Sequence, residues 1–371
     1  MDLLARARKL EAAGRDVVHM EIGEPDFLTP EPVVAAGQKA LADGHVHYTP
    51  ALGLPALRDA VSRYYAERYG VSIDAGRVVI TPGSSAGLQL LMAALVDEGD
   101  EVLLTDPGYP CNRNFVHLMG GVPVSLPATA AAGFQPTPEQ VNEAWSSRTR
   151  ALMVATPANP TGGQLDETDL RKLAEAVSAR QGVLIVDEIY QGLTYSGQDT
   201  TALALHRDDV VVVNSFSKYF GMTGWRVGWL VVPQALVPVM DKLAQNLYIS
   251  APTVAQHAAI AALAPSVRPL LDARRDEFRR RRDYLYTALD GLGFGIASAP
   301  PGAFYLYADC SAFTDDSYAF TRELLDEAGV AITPGLDFGV FEPERHVRFA
   351  FTTSIERLRE GVDRIRSFVG R

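Results

Sequence analysis

Val210-Val211-Val212-Val213-Asn214-Ser215-Phe216-Ser217-Lys218 carries an apolar, β-branched run directly into two small hydroxyl residues and a lysine. Eight residues after the lysine comes Arg226, inside Thr223-Gly224-Trp225-Arg226-Val227-Gly228. Four consecutive valines read as a buried strand. A lysine at the end of such a strand can serve as an imine-forming amine. Serine hydroxyls and an arginine are the donors a phosphate group needs, and arginine's planar fork suits it best. A lone surface lysine is the ordinary alternative, and these neighbours argue against it.

Two upstream motifs extend the pattern. Val183-Leu184-Ile185-Val186 ends in Asp187, with Tyr190 three residues further on. A carboxylate just past the C-terminal end of a buried strand is a common ligand position in α/β sheets. An Asp that merely caps the next helix is the alternative. Leu152-Met153-Val154 leads into Thr156-Pro157-Ala158-Asn159-Pro160-Thr161-Gly162, where turn chemistry accounts for the prolines and the glycine. Together, an amine, a phosphate-binding cluster and a carboxylate suit a pyridoxal phosphate site. The carboxylate would keep the pyridine nitrogen protonated so that the ring accepts electrons, and the Asn159 amide could donate to the ring's phenolate oxygen.

On these residues the chain resembles fold-type I pyridoxal phosphate enzymes, specifically the class I/II aminotransferases of the aspartate aminotransferase family. The matching segments run in the family's order from Gly23 to Arg348 and span nearly the whole chain. The resemblance implies an α/β fold: a large domain with a mostly parallel seven-stranded sheet flanked by helices, over residues 28–270. A smaller α+β domain would be built from both chain ends, 1–27 and 271–371. It implies pyridoxal 5′-phosphate as cofactor, with Lys218 forming the internal aldimine and acting as general acid/base. Asp187 would pair with the pyridinium nitrogen, and Asn159 and Tyr190 would bond the phenolate oxygen. Ser215, Ser217 and Arg226 would bind the phosphate, together with the backbone of Ser85 and Ala86 in Thr81-Pro82-Gly83-Ser84-Ser85-Ala86-Gly87. That turn precedes a helix-like stretch, Leu88 to Leu95, so a phosphate would also meet a helix N-terminus; an ordinary strand-to-helix connection is the alternative.

Tyr109, in Asp106-Pro107-Gly108-Tyr109-Pro110, matches the aromatic that stacks on the cofactor ring. Tyr48 matches a tyrosine that reaches the phosphate of the neighbouring subunit, which implies a homodimer with shared active sites. At the substrate end, Arg348 in Val347-Arg348-Phe349-Ala350-Phe351 matches the arginine that grips the α-carboxylate. An arginine among apolar residues needs a partner in any case, and a structural ion pair is the other reading. Gly23 matches a glycine whose backbone approaches the substrate. Members of the family usually carry an N-terminal arm, whereas this sequence opens almost directly on a helix-like stretch, residues 1–13, with Gly14 as its stop.

The resemblance implies amino-group transfer from an L-amino acid to a 2-oxo acid in two half-reactions, hence ping-pong kinetics. Relatives on the same fold perform β-elimination or carbon–sulfur cleavage, so a lyase is the alternative; Thr223-Gly224-Trp225-Arg226 favours the aminotransferase branch. A sensor-type regulator would need an appended DNA-binding module, for which this chain has no room. A dinucleotide-binding oxidoreductase fails because the Gly83-to-Gly87 turn lacks G-x-G-x-x-G spacing.

Composition agrees. A length of 371 residues suits two or three domains, and 47% hydrophobic with 21% charged residues is ordinary for a globular protein. A net charge of −11 argues against a general nucleic-acid or anionic-membrane surface, so a phosphate site must be a local positive patch. With only Cys111 and Cys310 there is no disulfide framework, and no metal-binding cluster stands out. No apolar run reaches membrane-spanning length, and the first residues lack a signal peptide's apolar core, so a cytoplasmic location is expected. The arginine-rich stretch Arg274 to Arg282 reads as part of a long helix with a solvated basic face. Beyond it, Gly302 to Tyr307 and Val347 to Phe351 read as strands of the smaller domain.

Overall fold

From residue 76 to Asp187 the apolar runs become strands, and the helix-length segments between them become helices that return the chain across the sheet. From there to residue 232 the alternation expected from the sequence stops, since among the described residues the connections hold only the 3-10 turn Ala202–Leu205. The computed structural model describes residues 2–197 and 199–370. A two-residue strand, β1 (Val18–His19), comes first. The large sheet is built from β2 (Val78–Thr81), β3 (Glu101–Asp106), β4 (Val122–Pro127), β5 (Thr149–Ala155), β6 (Val183–Asp187), β7 (Val210–Ser215) and β8 (Gly228–Val231). Then come β9 (Tyr305–Asp309), β10 (Val330–Ala331), β11 (Thr333–Pro334) and β12 (His346–Ala350).

The large sheet has the order β2-β8-β7-β6-β5-β3-β4. β8 runs antiparallel to both its neighbours, and the remaining pairings are parallel. The four valines explain why β7 lies near the middle. Val210 and Val212 join the apolar core on one side, and Val211 and Val213 join a second core on the other, against Leu88, Leu91 and Met240. A strand apolar on both faces must be covered on both, and each fully buried valine contributes about 1.5–3 kcal/mol.

A separate three-stranded antiparallel sheet, β11-β12-β9, carries Arg348 on its middle strand. β1 pairs in parallel with β10, which ties the start of the chain to its last quarter. The helix read from residues 1–13 is Asp2–Ala12; Met1 lies outside the described residues.

The arginine-rich segment lies in the helix Arg268–Asp290. Its basic face is not wholly solvated, which corrects the expectation from the sequence. Arg281 and Arg282 are buried. Arg281 pairs with Asp26 and Glu277, and Arg282 donates to the Pro300 carbonyl. Charge counting along a helix does not show which guanidinium has a partner brought in from elsewhere in the chain.

Candidate active site

The C-terminal ends of β5, β6 and β7 lie side by side, so the segments leaving these strands meet at one edge of the sheet. Asp187 is the last residue of β6, Lys218 lies three residues beyond β7, and Asn159 lies four beyond β5. A cavity of about 510 Å³ opens there. Its lining brings together Gly23, Ser85, Tyr109, Asn159, Asp187, Tyr190, Ser217, Lys218, Arg226 and Arg348. These residues come from segments more than 300 positions apart.

Lys218 Nζ donates to the Gly23 carbonyl at 2.5 Å. Burial, assisted by the nearby Arg348 guanidinium, lowers its ammonium to about 8. Asp187 accepts the Ile189 N–H at 3.0 Å, and burial pushes its carboxyl up to about 6. Among the described residues no ion pair joins the two.

The helix Gly83–Leu95 starts earlier than the sequence suggested and points its N-terminus at the cavity. Gly83 has φ +79°, and a Cβ placed there would lie 2.4 Å from Arg226 Nη2. Only glycine leaves that space, so Arg226 packs directly over the first residue of the helix. Arg226 itself has φ +53° and donates to the Thr223 carbonyl at 3.0 Å. A guanidinium over a helix N-terminus is a concentrated set of donors for an anion.

Arg348 is held on several sides. One Nη donates to Asn159 Oδ1 at 2.8 Å, and the other to the Glu21 carbonyl at 2.5 Å and Thr333 Oγ1 at 3.3 Å. The Tyr305 and Phe338 rings lie 4.3 and 4.8 Å from its guanidinium carbon. Its buried Nε has no partner. Tyr190 and Tyr305 share a hydrogen bond of 2.8 Å between their hydroxyls, and burial holds both phenols protonated.

Three residues read from the sequence do not line the cavity. Ser215 is buried behind it, where its hydroxyl meets that of Ser217 at 2.9 Å and accepts the Ser217 N–H. Ala86 sits in the first turns of the helix without reaching the lining. Tyr48 is 81% exposed and lies outside the lining. Conversely, Ser84, Glu24, Thr223 and Tyr305 line the cavity without having been read as site residues. Tyr305 also explains Gly23: a Cβ on Gly23 would lie 2.0 Å from the Tyr305 hydroxyl. The signal was the run Gly302-Ala303-Phe304-Tyr305, but which face Tyr305 takes depends on the three-stranded sheet's orientation.

Comparison with known proteins fits this geometry. The family described as aminotransferase class I and II matches residues 15–365. The valine–pyruvate aminotransferase of Mycobacterium tuberculosis is 39% identical over 370 residues, covering 100% of this chain and 95% of that protein. The aspartate/prephenate aminotransferase of Thermus thermophilus is 37% identical over 369 residues, with 99% and 94% covered. A crystal structure of an aminotransferase from Mycobacterium tuberculosis superposes with a TM-score of 0.95 at 39% identity, covering 100% of this chain and 96% of that one.

Proposed function

Because this chain belongs to the class I and II aminotransferase family and is a transaminase, we propose that its cavity holds pyridoxal 5′-phosphate and moves the amino group of an L-amino acid to a 2-oxo acid. The observation that carries this reading is convergence. An amine, a buried carboxylate, an arginine over a helix N-terminus and an arginine with a spare buried donor all face one cavity. The residues fit the coenzyme. The Gly83–Arg226 cradle is free of any Cβ where a phosphate would meet helix N–H groups, and Asp187 offers a carboxylate whose burial would be relieved by a cationic ring nitrogen.

When bound, the coenzyme supplies an electron sink for negative charge formed at the substrate's Cα. The protein's own groups do the rest. Arg348 orients the substrate through its α-carboxylate, using the spare Nε donor alongside a neighbouring N–H. Lys218 takes the Cα proton and returns it, for which an amine near 8 is well matched to neutral pH. Asp187 holds the ring-nitrogen proton, a preorganised charge that matters most as negative charge develops. Asn159 and Tyr190 supply hydrogen bonds to the ring's oxygen, with Asn159 fixed by Arg348 and Tyr190 by Tyr305. Ser85, Ser217 and Arg226 bind the phosphate, and Tyr109 covers a face of the ring and excludes water.

We assign residues 28–270 to a coenzyme-binding domain and 1–27 with 271–371 to a smaller domain. We read the enzyme as a cytoplasmic homodimer. The exposed Tyr48, near exposed Val46, supports a partner surface, and two free cysteines suit a reducing compartment. No helix among the described residues is long and apolar enough to cross a membrane.

The test is a visible absorption spectrum of protein reconstituted with pyridoxal 5′-phosphate, recorded before and after adding amino acids without any oxo acid. A coenzyme band that changes as one equivalent of 2-oxo acid is released, and recovers on adding a 2-oxo acid, supports the reading. Failure to retain the coenzyme, or release of pyruvate and ammonia instead, overturns it. Lys218→Ala should retain a coenzyme-sized ligand and lose multiple turnover.

A further inference from the structure

The names of the relatives leave open whether the donor's side chain is neutral or acidic. The charge inventory of the cavity answers the question for this chain, and the answer rests on the transaminase reading of the same cavity. Among the described residues the lining holds three cations, Lys218, Arg226 and Arg348, and two carboxylates, Glu24 and Asp187. Every cation has a task. Arg226 sits against Gly83 at the phosphate cradle, Arg348 faces the α-carboxylate, and Lys218 is the amine that moves the proton.

Once a phosphate and one carboxylate are seated, the lining's three positive charges are matched by the ligands' own negative charge. Glu24 and Asp187 remain in addition. The protonated ring nitrogen answers Asp187. Glu24 is left at the mouth, accepting a hydrogen bond from Thr223 Oγ1. A second carboxylate on the substrate would therefore enter a site that is already negative and would find no unclaimed cation in the lining.

Nearby arginines do not fill the gap. Arg113 lies outside the lining and donates to the Asp337 carbonyl at 3.4 Å. Arg281 is paired with Asp26. Arg274 has a buried Nη1 without a hydrogen-bond partner, but it lies outside the lining, stacked over Phe27 with its guanidinium carbon 5.2 Å from the ring centre.

The surface around Tyr48, where the sequence reading places a second copy, is poor in cations; the flanking Lys242 is exposed on the helix Val237–Leu247. The Tyr48 segment is tied to the start of the helix Thr253–Ala262, through Thr253 Oγ1 to the His47 carbonyl at 2.7 Å and Gln256 Nε2 to Thr49 Oγ1 at 2.9 Å. The same surface exposes Val46, Tyr48, Leu247 and Ile249. Neither residues 44–57 nor residues 243–267 contain a lysine or arginine. The basic side chains in those two stretches are His45, His47 and His257, and burial together with the neighbouring His45 lowers the His257 imidazolium below its ordinary range.

We infer that the amino donors of this enzyme carry side chains without a second carboxylate: its substrates are neutral L-amino acids and the matching 2-oxo monoacids. The ligand's single carboxylate is read by Arg348, and the rest of the side chain meets Ile22, Ile189, Tyr109 and Tyr305 instead of a counter-ion.

The test uses the coenzyme-loaded enzyme at pH 8 and matched donors in a single half-reaction without oxo acid: glutamine with glutamate, asparagine with aspartate, and alanine and norvaline as simple neutral donors. The neutral member of each pair, together with alanine or norvaline, is expected to react at least ten times more efficiently than either acid. Equilibrium binding, followed calorimetrically, gives an independent readout: butyrate should bind at least as tightly as succinate. Aspartate or glutamate equal to or better than the neutral donors, or succinate tenfold tighter than butyrate, would overturn the inference while leaving the transaminase reading intact. No half-reaction with any donor would overturn the functional reading itself.

Discussion

Replacing Arg348 with lysine keeps a positive charge in the cavity and removes the planar fork. The guanidinium is fixed by Asn159 Oδ1, the Glu21 carbonyl and Thr333 Oγ1, and by the Tyr305 ring with its centre 4.3 Å away, which leaves the Nε N–H and a second N–H of Nη1 for a ligand. A lysine has one nitrogen and cannot satisfy those acceptors while also presenting two parallel donors to a carboxylate. At least one charge-assisted hydrogen bond to the substrate is therefore lost. Such a bond contributes about 1.5–3 kcal/mol, which corresponds to a roughly 10- to 150-fold loss in kcat/KM. Stability alone cannot decide the matter, because the same substitution frees the Glu21 carbonyl and Asn159 and lowers the melting temperature under either reading. The discriminating assay compares an amino acid with its amide, for example alanine with alaninamide. In the parent enzyme the acid is strongly preferred. In Arg348→Lys that preference should fall by the same factor of roughly 10 to 150, with the amide reacting almost as before. An unchanged preference would show that Arg348 is a structural clamp between Glu21 and Asn159, and the carboxylate would have to be read elsewhere.

Gly83→Ala puts a methyl 2.4 Å from Arg226 Nη2 at a φ of +79°, so coenzyme affinity should fall at least tenfold, measured by equilibrium dialysis; unchanged affinity would remove the cradle from the phosphate site. Tyr305→Phe keeps the ring under Arg348 but removes the hydroxyl bonded to Tyr190, a loss of about 0.5–1.5 kcal/mol, or roughly 2- to 10-fold in kcat/KM. It should also shift the pH midpoint of the bound coenzyme's visible band, and a band that titrates as in the parent would sink the idea. Lys218→Met should stabilise the coenzyme-free protein at pH 7. The lysine's amine falls from 10.5 unfolded to about 8 folded, so the unfolded state binds the proton more tightly between those values. The penalty is full below about pH 8 and is relieved as pH rises toward 10.5. It amounts to about 3 kcal/mol at most, less where cavity water screens the charge. Urea midpoints of parent and variant should therefore differ at pH 7 and converge near pH 10; a gap independent of pH would count against a buried ammonium. For His19 the sign is opposite. Hydrogen bonding to Glu21 raises it to about 9, so its stabilising contribution is full below about 6.5 and is lost as pH rises through 9; His19→Gln should flatten that decline in the melting temperature.

What the sequence made legible is local. The β7 valines, the Asp at the end of β6 and the lysine after β7 are each specified by a few adjacent residues, and the strand ends then fall side by side by topology. What it left out depends on faces and distant neighbours. Ser215 and Ser217 look equivalent in a hydroxyl-rich motif, yet Ser217 lines the cavity while Ser215 braces it from behind. Gly23 reads as a glycine whose backbone approaches the substrate, and it does line the cavity; what no local residue signals is that the space its Cβ would take is filled by Tyr305, 282 positions later. Arg281 reads as a solvated charge until Asp26 arrives from the other end of the chain. Tyr48 is exposed in the single chain, and the role read for it needs a second copy.

Asp187 and Lys218 bear on whether this cluster is a site or a buried ion-pair network, since both kinds of cluster perturb titration. In a structural network the lowest-energy arrangement pairs the opposite charges, because unpaired buried charges are costly. Here the two line one cavity and remain apart. Lys218 donates to the Gly23 carbonyl, and Asp187 accepts from the Ile189 N–H. Burial pushes both toward their neutral forms, the carboxyl up to about 6 and the amine down to about 8. Arg348 repeats the pattern with a buried Nε that nothing in the described chain accepts. Three polar groups from separate segments are thus each short of a partner in the same 510 Å³. A single ligand with a cationic ring nitrogen, an aldehyde for the amine and a bound carboxylate beside it would complete all three. A fold selected only for stability would more readily have replaced them with well-packed apolar side chains.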